Sequence, residues 1–368
     1  MIRTHFALLL ICMPFGYFYG ICSTSELPNY QNGVKNIPVV DSTSTSMQVS
    51  TIAQPEFAFI DSFAQNAPGN IDKDPSTVAA YLLKGCKNDL QKARAAFTWV
   101  ANNIKYDDYA FNSGKIGNMS AEGVLKRKHA VCEGYANLYK AIGEAMGLEV
   151  EKIDGWAKAY GYRPGEKFTG HEPNHSWSAV KVNGEWLLVD ATWGAGYSEG
   201  GRGHLMSHKL FTPYWFNVNK YEFLFMHYPK DEKWLLIPQA VTLKQYEEMP
   251  FVQPAFFQMG FNAHEVLDKS VAKTLPKQLP ETFPTTYHIK LVDFPLNDAI
   301  PPASEMTFTI TCDEDVDIEF INDPKKWHKM ERSGNTYTVK LPLKRGELQV
   351  AIKAKGRTYS DIIKYKVK

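Results

Sequence analysis

The sequence predicts an α+β fold in which a mixed region of helices and strands precedes a small C-terminal β-sandwich. Three observations lead to this fold class. Apolar residues recur at helical spacing in several segments before residue 146. The pair Asn183-Gly184 separates two alternating stretches, and Asn-Gly is the strongest short-range signal for a β-hairpin. Short alternating stretches separated by turn residues fill 285–368, which is typical of a β-sandwich.

Length and charge limit the class of protein. The 368 residues suggest two folded units at roughly 100–200 residues per domain. The 41 basic and 40 acidic residues nearly cancel, and no segment is basic enough for a nucleic-acid footprint. We therefore expect no nucleic-acid partner.

The first 22 residues have the pattern of a secretory signal peptide. Arg3 and His5 precede an almost wholly apolar run at 6–18, and small residues near Gly20 and Cys22 mark a cleavage region. This run is too short for a membrane span, which needs roughly 20 residues. We expect an exported protein, secreted, periplasmic or at the cell surface, with no membrane span in the mature chain. A buried or disordered N-terminal segment is the alternative.

Residues 23–52 are rich in Ser, Thr, Asn and Gln, and we interpret them as a flexible leader. Cleavage after Cys22 would leave Cys86, Cys132 and Cys312. An odd number of cysteines in an exported protein implies a free thiol or an intermolecular bridge.

Helix signals organise the first part of the main domain, which we place at 53–240. Asp74 is a helix N-cap with Pro75 at the first helical position. Gly147 is a natural stop for a helix that begins at Cys132. The predicted helices run from 75 to about 83, from about 89 to 104, over a short stretch from 120, and from 132 to 146.

Strand signals follow. The stretch 150–159 alternates, and the hairpin strands are 177–182 and 186–192. The segment 203–240 is aromatic-rich and irregular. We expect a connector at 241–284, helical in part and then Pro-rich, before the sandwich at 285–368. The predicted strands of the sandwich are Tyr287–Val292, Met306–Thr311, Val316–Ile321, Thr336–Leu341, Leu348–Ala354 and Tyr359–Val367.

Cys132 has the setting of a nucleophilic thiol, because it lies at the start of a predicted amphipathic helix. A helix N-terminus carries partial positive charge, which stabilises a thiolate. Its free N–H groups can also receive the oxyanion that forms during acyl transfer. Taken alone, Cys132 is better explained as a small buried hydrophobe, so the catalytic hypothesis depends on partners elsewhere in the chain.

The hairpin supplies these partners. With Asn183 and Gly184 as the two turn residues, His175 lies opposite Thr192 if the pairing extends that far. Asp190 then points to the same face as His175 on its diagonal, about 7–8 Å away at the backbone and within side-chain reach. The hairpin register therefore predicts a contact between an imidazole and a carboxylate.

A cysteine nucleophile needs this arrangement. A free thiol has a pKa of about 8.5 and is only partly ionised at neutral pH. An adjacent imidazole takes its proton and later returns it to the leaving amine. A carboxylate on the other ring nitrogen fixes the tautomer and stabilises the imidazolium. We therefore predict Cys132 as nucleophile, His175 as base and Asp190 as the group that orients the base.

Three motifs in this order resemble the transglutaminase-like superfamily, in which the cysteine opens a helix, the histidine lies on a following strand and the aspartate ends the next strand. The motifs are Val131-Cys132-Glu133-Gly134-Tyr135-Ala136, Asn174-His175-Ser176-Trp177 and Val189-Asp190-Ala191-Thr192-Trp193. The segment 99–107 resembles the helix before the cysteine. The segment 221–236, with Phe223, His227, Pro229 and Trp234, is similar to kyphoscoliosis-peptidase-like members. The resemblance covers about 75–240.

This resemblance implies a papain-like core in which the helix that starts at the cysteine packs on an antiparallel sheet. Active members attack an amide carbonyl through a thiolate, so it implies a cysteine peptidase, amidase or transglutaminase-type acyltransferase that uses no cofactor and acts on peptide or protein substrates. We favour hydrolysis slightly over cross-linking. The alternative is a catalytically idle binding scaffold. We expect the C-terminal β-domain to be a docking domain for a protein partner.

Four aromatic residues are candidates for the surroundings of the site. Tyr106 and Trp99 could complete the oxyanion hole, and Trp177 and Trp193 could line a substrate groove. Packing in the core is the alternative for each of them.

We predict no metal site. The run from His171 to His175 spells the H-E-x-x-H zinc motif, but that motif requires a helix, and Pro173 and the strand that follows favour a loop. His204 and His208 lack a convincing third ligand. We find no EF-hand loop that would bind calcium.

Overall fold

The computed structural model describes residues 54–201, 204–323, 325–353 and 358–368, and it has the predicted α+β fold. The predicted signal peptide and flexible leader lie outside the described residues. None of the helices in these described ranges is long and apolar enough to cross a membrane.

Helices form the first layer of the fold. Their bounds and those of two short strands among them are α1 Ala58–Gln65, α2 Pro75–Leu82, α3 Asp89–Asn103, β1 Lys105–Tyr106, α4 Asp108–Ser113, α5 Ala121–Arg127, β2 His129–Ala130 and α6 Cys132–Ala145. Helix α6 packs against α2, α3 and α5. Four of these helices agree closely with the predicted ones, whereas α1 and α4 were not predicted.

Most of these helices begin with a side-chain cap. Asp74 accepts a hydrogen bond from Thr77 N at 2.8 Å, and Asn88 accepts one from Gln91 N at 2.9 Å. Ser120 caps α5 in the same way. Helix α6 differs, because its N-cap residue is Val131, which has no side-chain acceptor. The first N–H groups of α6 are therefore left free of a capping side chain.

A four-stranded antiparallel sheet lies behind α6. The elements in this part of the chain are β3 Glu149–Ala157, β4 His175–Val182, β5 Glu185–Val189, α7 Ala191–Gly194, β6 Gly196–Glu199, β7 Met206–Lys209, α8 Lys220–Leu224 and β8 His227–Pro229. The strand order is β5-β4-β3-β8, while β6 and β7 form a separate hairpin. Helix α6 packs on β3 and β4, so the residue that opens α6 faces the sheet residues that open β4.

The hairpin of β4 and β5 has the predicted register. Val182 pairs with Glu185, and the ladder continues to Ser178 opposite Val189. Asn183 and Gly184 have φ angles of 52° and 86°, as this turn requires.

The predicted extension of this ladder to His175 and Thr192 is wrong. The ladder ends at Val189, which forms an isolated bridge with Phe216, and Thr192 lies in α7. His175 pairs instead with Gly155 on β3. The chain leaves the hairpin at Asp190 because this residue caps α7 with its side chain.

A connector of three short helices follows, with bounds α9 Leu243–Glu248, α10 Pro254–Gln258 and α11 Ala263–Val271. Their apolar faces share a buried cluster with Phe225, just before β8, and Tyr228, in the middle of β8. These three helices lie within the segment 241–284.

The C-terminal region is a sandwich of two antiparallel-rich sheets. Its strands are β9 Glu281–Thr282, β10 Ile289–Val292, β11 Ala299–Ile300, β12 Ala303–Cys312, β13 Ile318–Asp323, β14 Lys326–Lys329, β15 Glu331–Ser333, β16 Thr336–Leu343, β17 Gly346–Lys353 and β18 Tyr359–Val367. One sheet has the order β10-β12-β16-β15 and the other the order β11-β18-β17-β13-β14, with β9 paired to β18. Phe308 of the first sheet contacts Phe320 of the second, with ring centroids 4.8 Å apart, so the sheets share one core. All six predicted strands are present, and β9, β11, β14 and β15 were missed.

Candidate active site

Cys132 is the first residue of α6 and is half-buried. Its position depends on Gly134, because a Cβ at that residue would lie 2.7 Å from Ala130 Cβ and 2.8 Å from Val124 Cγ2. The missing side chain lets α6 approach α5 and β2 closely. A larger residue at this point would push the start of α6, and the thiol with it, away from the sheet.

His175 is the first residue of β4, and its side chain is buried. Its strand partner, Gly155, lies at the closest point between three strands. A Cβ on Gly155 would stand 2.2 Å from the Tyr228 backbone oxygen and 2.4 Å from Trp177 Cη2. Only glycine fits here, and the tight crossing of β3, β4 and β8 fixes the backbone that carries His175.

His175 and Asp190 are in direct contact. The distance between His175 Nε2 and Asp190 Oδ2 is 2.7 Å. Asp190 is 0% exposed, and its other oxygen, Oδ1, accepts hydrogen bonds from the backbone N–H groups of Thr192 and Trp193 at 2.9 and 3.0 Å. Asp190 reaches His175 as the N-cap of α7, rather than from the end of a strand as predicted. Capping α7 holds the carboxylate in one orientation.

The structure adds His227, a contact of Asp190 to which the sequence analysis gave no role. His227 Nε2 lies 3.1 Å from Asp190 Oδ2, the same oxygen that His175 contacts. The side chain is 1% exposed, and its ring stacks on Phe223 at 3.9 Å between centroids. His227 opens β8, a strand of three residues that is too short to leave a periodic pattern. Its presence in the segment that resembles kyphoscoliosis-peptidase-like members was the one available signal.

Charge is distributed unevenly over this group. Burial would raise the pKa of Asp190, but the charge of His175 and the hydrogen bonds from His175 and His227 hold it well below its usual range. Burial would lower the pKa of His175, but the Asp190 carboxylate and a hydrogen bond with Cys132 raise it to about 10. His175 is therefore an imidazolium paired with a carboxylate at neutral pH.

His227 has the opposite behaviour. Burial lowers its pKa to about 4, although Asp190 acts to raise it, and the charge of His175 adds to the lowering. His227 is therefore neutral at neutral pH. One carboxylate thus contacts a charged and an uncharged imidazole.

Cys132, His175 and Asp190 form one connected row. Cys132 lies close enough to the His175 side chain to raise the pKa of that imidazole. Because Asp190 occupies Nε2 of that ring, Nδ1 is the nitrogen available to the thiol. The arrangement places a thiol and a carboxylate on the two nitrogens of one imidazole, as nucleophilic catalysis by a cysteine requires.

The four aromatic candidates separate into two pairs. Trp193 is partly exposed and stacks on His175, with ring centroids 5.2 Å apart. Tyr106 is partly exposed, and burial followed by the charge of Cys132 raises its pKa, which places it beside the thiol. Trp99 and Trp177 are 1% and 2% exposed and belong to the hydrophobic core. Their burial matches the packing alternative.

An open hollow is lined by residues of β1, β2 and their neighbours in the chain. It has a volume of about 560 Å³, and β1, which contributes Tyr106, pairs with β2 two residues before Cys132. The hollow combines aromatic and charged side chains. Its lining is Tyr106, Asp107, Asp108, Tyr109, Arg127 and His129.

The same group of side chains includes possible metal ligands. His175, Asp190 and His227 each offer a ligand atom, and these atoms lie within 4.8 Å of one another. Hydrogen bonds of 2.7 and 3.1 Å to Asp190 account for this spacing. The run from His171 to His175 does not form a helix, so it lacks the geometry of the zinc motif. His208 pairs with Glu199 at 2.7 Å.

The chain is similar in sequence to several known proteins. The sequence model of the transglutaminase-like superfamily matches residues 76–191. Kyphoscoliosis peptidase of Mus musculus is 29% identical over 184 residues, which cover 50% of this chain and 27% of that protein. Hillarin of Drosophila melanogaster is 30% identical over 219 residues, which cover 56% of this chain and 26% of that protein. Lim and transglutaminase domain protein ltd-1 of Caenorhabditis elegans is 28% identical over 247 residues, which cover 64% of this chain and 33% of that protein.

The chain thus spans about a quarter to a third of the length of these relatives. The match covers the helix that begins at Cys132, the strand that begins at His175 and the cap residue Asp190. Residues 76–191 therefore form a domain of the transglutaminase-like superfamily, similar to that of kyphoscoliosis peptidase and its relatives.

Proposed function

We propose that this protein is a thiol-dependent acyl-transfer enzyme that acts on amide bonds of peptides or proteins. One observation carries the proposal: Asp190 hydrogen-bonds His175 at 2.7 Å, while Cys132, at the start of a helix, lies close enough to the same imidazole to raise its pKa. A buried imidazolium between a thiol and a carboxylate has a direct use in acyl transfer.

The first step is attack of the Cys132 thiolate on the amide carbonyl. A C–S bond forms, and the carbonyl π electrons move to oxygen, which becomes an oxyanion. The first N–H groups of α6 can receive this oxyanion, because Val131 provides no capping side chain. The helices that begin after Asp74 and Asn88 each have one N–H group bound by the capping side chain, whereas α6 has none, and this supports the assignment.

The second step breaks the amide. His175 gives a proton to the leaving amine as the C–N bond cleaves, and a thioester remains on Cys132. A water molecule then gives a proton to neutral His175 and attacks the thioester. The acid departs, and the thiolate and imidazolium are restored. An amine in place of water would give transfer instead of hydrolysis.

We favour hydrolysis over transfer to an amine. Two of the curated relatives carry the name kyphoscoliosis peptidase, which supports peptide hydrolysis by a chain of this kind. The hollow at β1 and β2, of which β2 ends two residues before Cys132 in the chain, includes Tyr109, which is 68% exposed, and this open surface leaves room for a polypeptide substrate.

The test uses a mixed peptide library with a biotinylated primary amine present. Mass spectrometry would detect new peptide termini, deamidated side chains or amine adducts as three separate products. We expect hydrolysis products with wild type and none with Cys132→Ala. Identical product profiles for the two proteins would disprove the enzymatic proposal and favour the idle scaffold.

A further inference from the structure

Asp190 uses every acceptor position of its carboxylate. Oδ1 accepts the backbone N–H groups of Thr192 and Trp193, and Oδ2 contacts Nε2 of His175 and of His227. An ionised carboxylate has about four lone-pair sites. The four contacts together leave the carboxyl group no free rotation, and His227 supplies one of the two that hold Oδ2.

The chemistry of the contact identifies Nε2 of His227 as the protonated nitrogen. An ionised carboxylate accepts hydrogen bonds and donates none, so the proton must come from the imidazole. His227 Nδ1 is buried and has no hydrogen-bond partner. The backbone carbonyl of Phe223 acts to raise the pKa of His227 but does not reach hydrogen-bond geometry with Nδ1.

The charged groups that face His227 are Asp190 and His175, and their effects oppose each other. The remaining neighbours of the ring are aromatic. Besides the His175 ring at 5.4 Å, its ring contacts are Phe223, Trp193, Trp177 and Trp215, with centroids at 3.9, 4.3, 5.1 and 5.6 Å. These surroundings favour the neutral form, so His227 does not compete with His175 for the negative charge.

Packing alone does not explain a histidine at this place. A leucine or phenylalanine would fill an aromatic pocket without leaving a buried nitrogen unpaired, which costs about 1–3 kcal/mol. Unlike leucine or phenylalanine, histidine can donate a hydrogen bond to Asp190. The geometry therefore favours a role that acts through the carboxylate.

We propose that His227 is a positioning residue, which holds Asp190 Oδ2 against His175 Nε2 so that Nδ1 of His175 stays directed at Cys132. This inference rests on the proposed thiol chemistry. It assigns His227 no contact with substrate and no proton transfer.

The test compares His227→Leu, which removes the donor, with His227→Gln, whose amide can donate to Asp190. The readout is the rate of alkylation of Cys132 by iodoacetamide from pH 5 to 9, measured by peptide mass spectrometry. We expect His227→Leu to react about 10-fold more slowly at pH 6, the value of one charge-assisted hydrogen bond, and His227→Gln to recover most of the wild-type rate. Phe308→Leu, a buried substitution in the C-terminal sandwich, controls for general destabilisation.

Comparing wild type with His175→Ala in the same assay separates a failure of the proposed function from a failure of the proposed role of His227. If these two proteins react alike, the proposed function fails. If only His175→Ala is slow and His227→Leu matches wild type, the function stands and the role of His227 is overturned.

A second measurement uses only wild type, so it tests the inference even if the His227 variants do not fold. Nitrogen NMR of the imidazoles in wild type should find His227 neutral, with its proton on Nε2, at pH 6–7. A charged His227, or a proton on Nδ1, would overturn the inference without any variant.

Discussion

His175 and His227 hydrogen-bond the same oxygen of Asp190, at 2.7 and 3.1 Å, yet at neutral pH His175 is protonated and His227 is neutral. A single carboxylate stabilises one imidazolium, and His175 is favoured because Cys132 also contacts it. The charge of His175 then disfavours protonation of His227. The proposed activity and the pH-dependent stability therefore involve the same small group of side chains.

Cys132→Ala should abolish activity and leave the fold intact. The thiol is half-buried and small, so its loss removes little packing, while the C–S bond of the proposed mechanism can no longer form. We expect product formation at background level and a melting temperature within about 2–4 °C of wild type, which corresponds to about 1 kcal/mol. Full activity in this variant would contradict the mechanism.

Asp190→Asn should reduce kcat on the order of 10³-fold, less than loss of the nucleophile or the base. The amide oxygen can still cap α7, but its NH₂ group would face two imidazole nitrogens that now donate to Oδ2. Steady-state kinetics measure the effect. Asp74→Asn is the matched control, since Asp74 also caps a helix but is exposed and lies far from Asp190 in the sequence. An equal loss in both variants would show that capping alone is responsible.

Stability should fall as pH decreases from 6.5 to 4 because of His227. Its pKa is about 4 in the fold and about 6.5 when unfolded, so the unfolded chain binds more protons in this window. The free energy of unfolding then rises with pH there, by up to about 3 kcal/mol across the window. Urea unfolding from pH 4 to 7 checks this. His227→Leu should have a flatter profile, and an unchanged slope would contradict the pKa shift.

At alkaline pH, Lys158 should offset a loss of stability that comes from His175. The pKa of His175 is about 10, so its contribution is present below pH 6.5 and is lost as pH rises toward 10. Lys158 is buried over the Tyr246 ring, and burial lowers its pKa to about 7, so its contribution grows from pH 7 to 10.5. The two contributions offset each other in wild type.

Lys158→Met removes the second contribution. We expect the stability of this variant relative to wild type to decrease by up to about 1.4 kcal/mol per pH unit above pH 7. Urea unfolding at pH 7, 8 and 9 measures the difference. A difference that stays constant with pH would mean that Lys158 is charged in the fold.

Turn chemistry and hairpin register, which are local in the sequence, predicted part of the geometry around the candidate site. Asn183-Gly184 fixed the hairpin register, because a two-residue turn leaves one pairing. The contact between His175 and Asp190 was expected from this register, but it forms by another route. Asp190 leaves the ladder to cap α7, and no strand pattern encodes that turn.

Long-range contacts account for what the sequence did not predict. His227 is 37 residues from Asp190 and reaches it through β8, which joins the sheet beside β3. The burial of Trp99 and Trp177 likewise depends on packing between α3, α6 and the sheet. An amphipathic pattern indicates that an aromatic side chain faces inward, but it does not separate the core from a groove.

Gly155→Ala should damage stability and activity together, because Gly155 is where β3, β4 and β8 meet behind His175. The added Cβ would lie 2.2 Å from the backbone oxygen of Tyr228, and a backbone atom cannot turn away as a side chain can. Overpacking of this kind costs about 1–3 kcal/mol, and we expect kcat to fall because the strand that carries His175 must shift. Thermal unfolding and steady-state kinetics measure both effects.

Gly69→Ala is the control, since a Cβ there meets nothing within 4 Å and should change stability by less than about 0.5 kcal/mol. Adding Trp177→Phe to Gly155→Ala removes the second clash, with Trp177 Cη2, but leaves the backbone clash, so it should not restore wild-type kcat. Wild-type stability and kcat in Gly155→Ala would mean that the three strands can separate without moving His175.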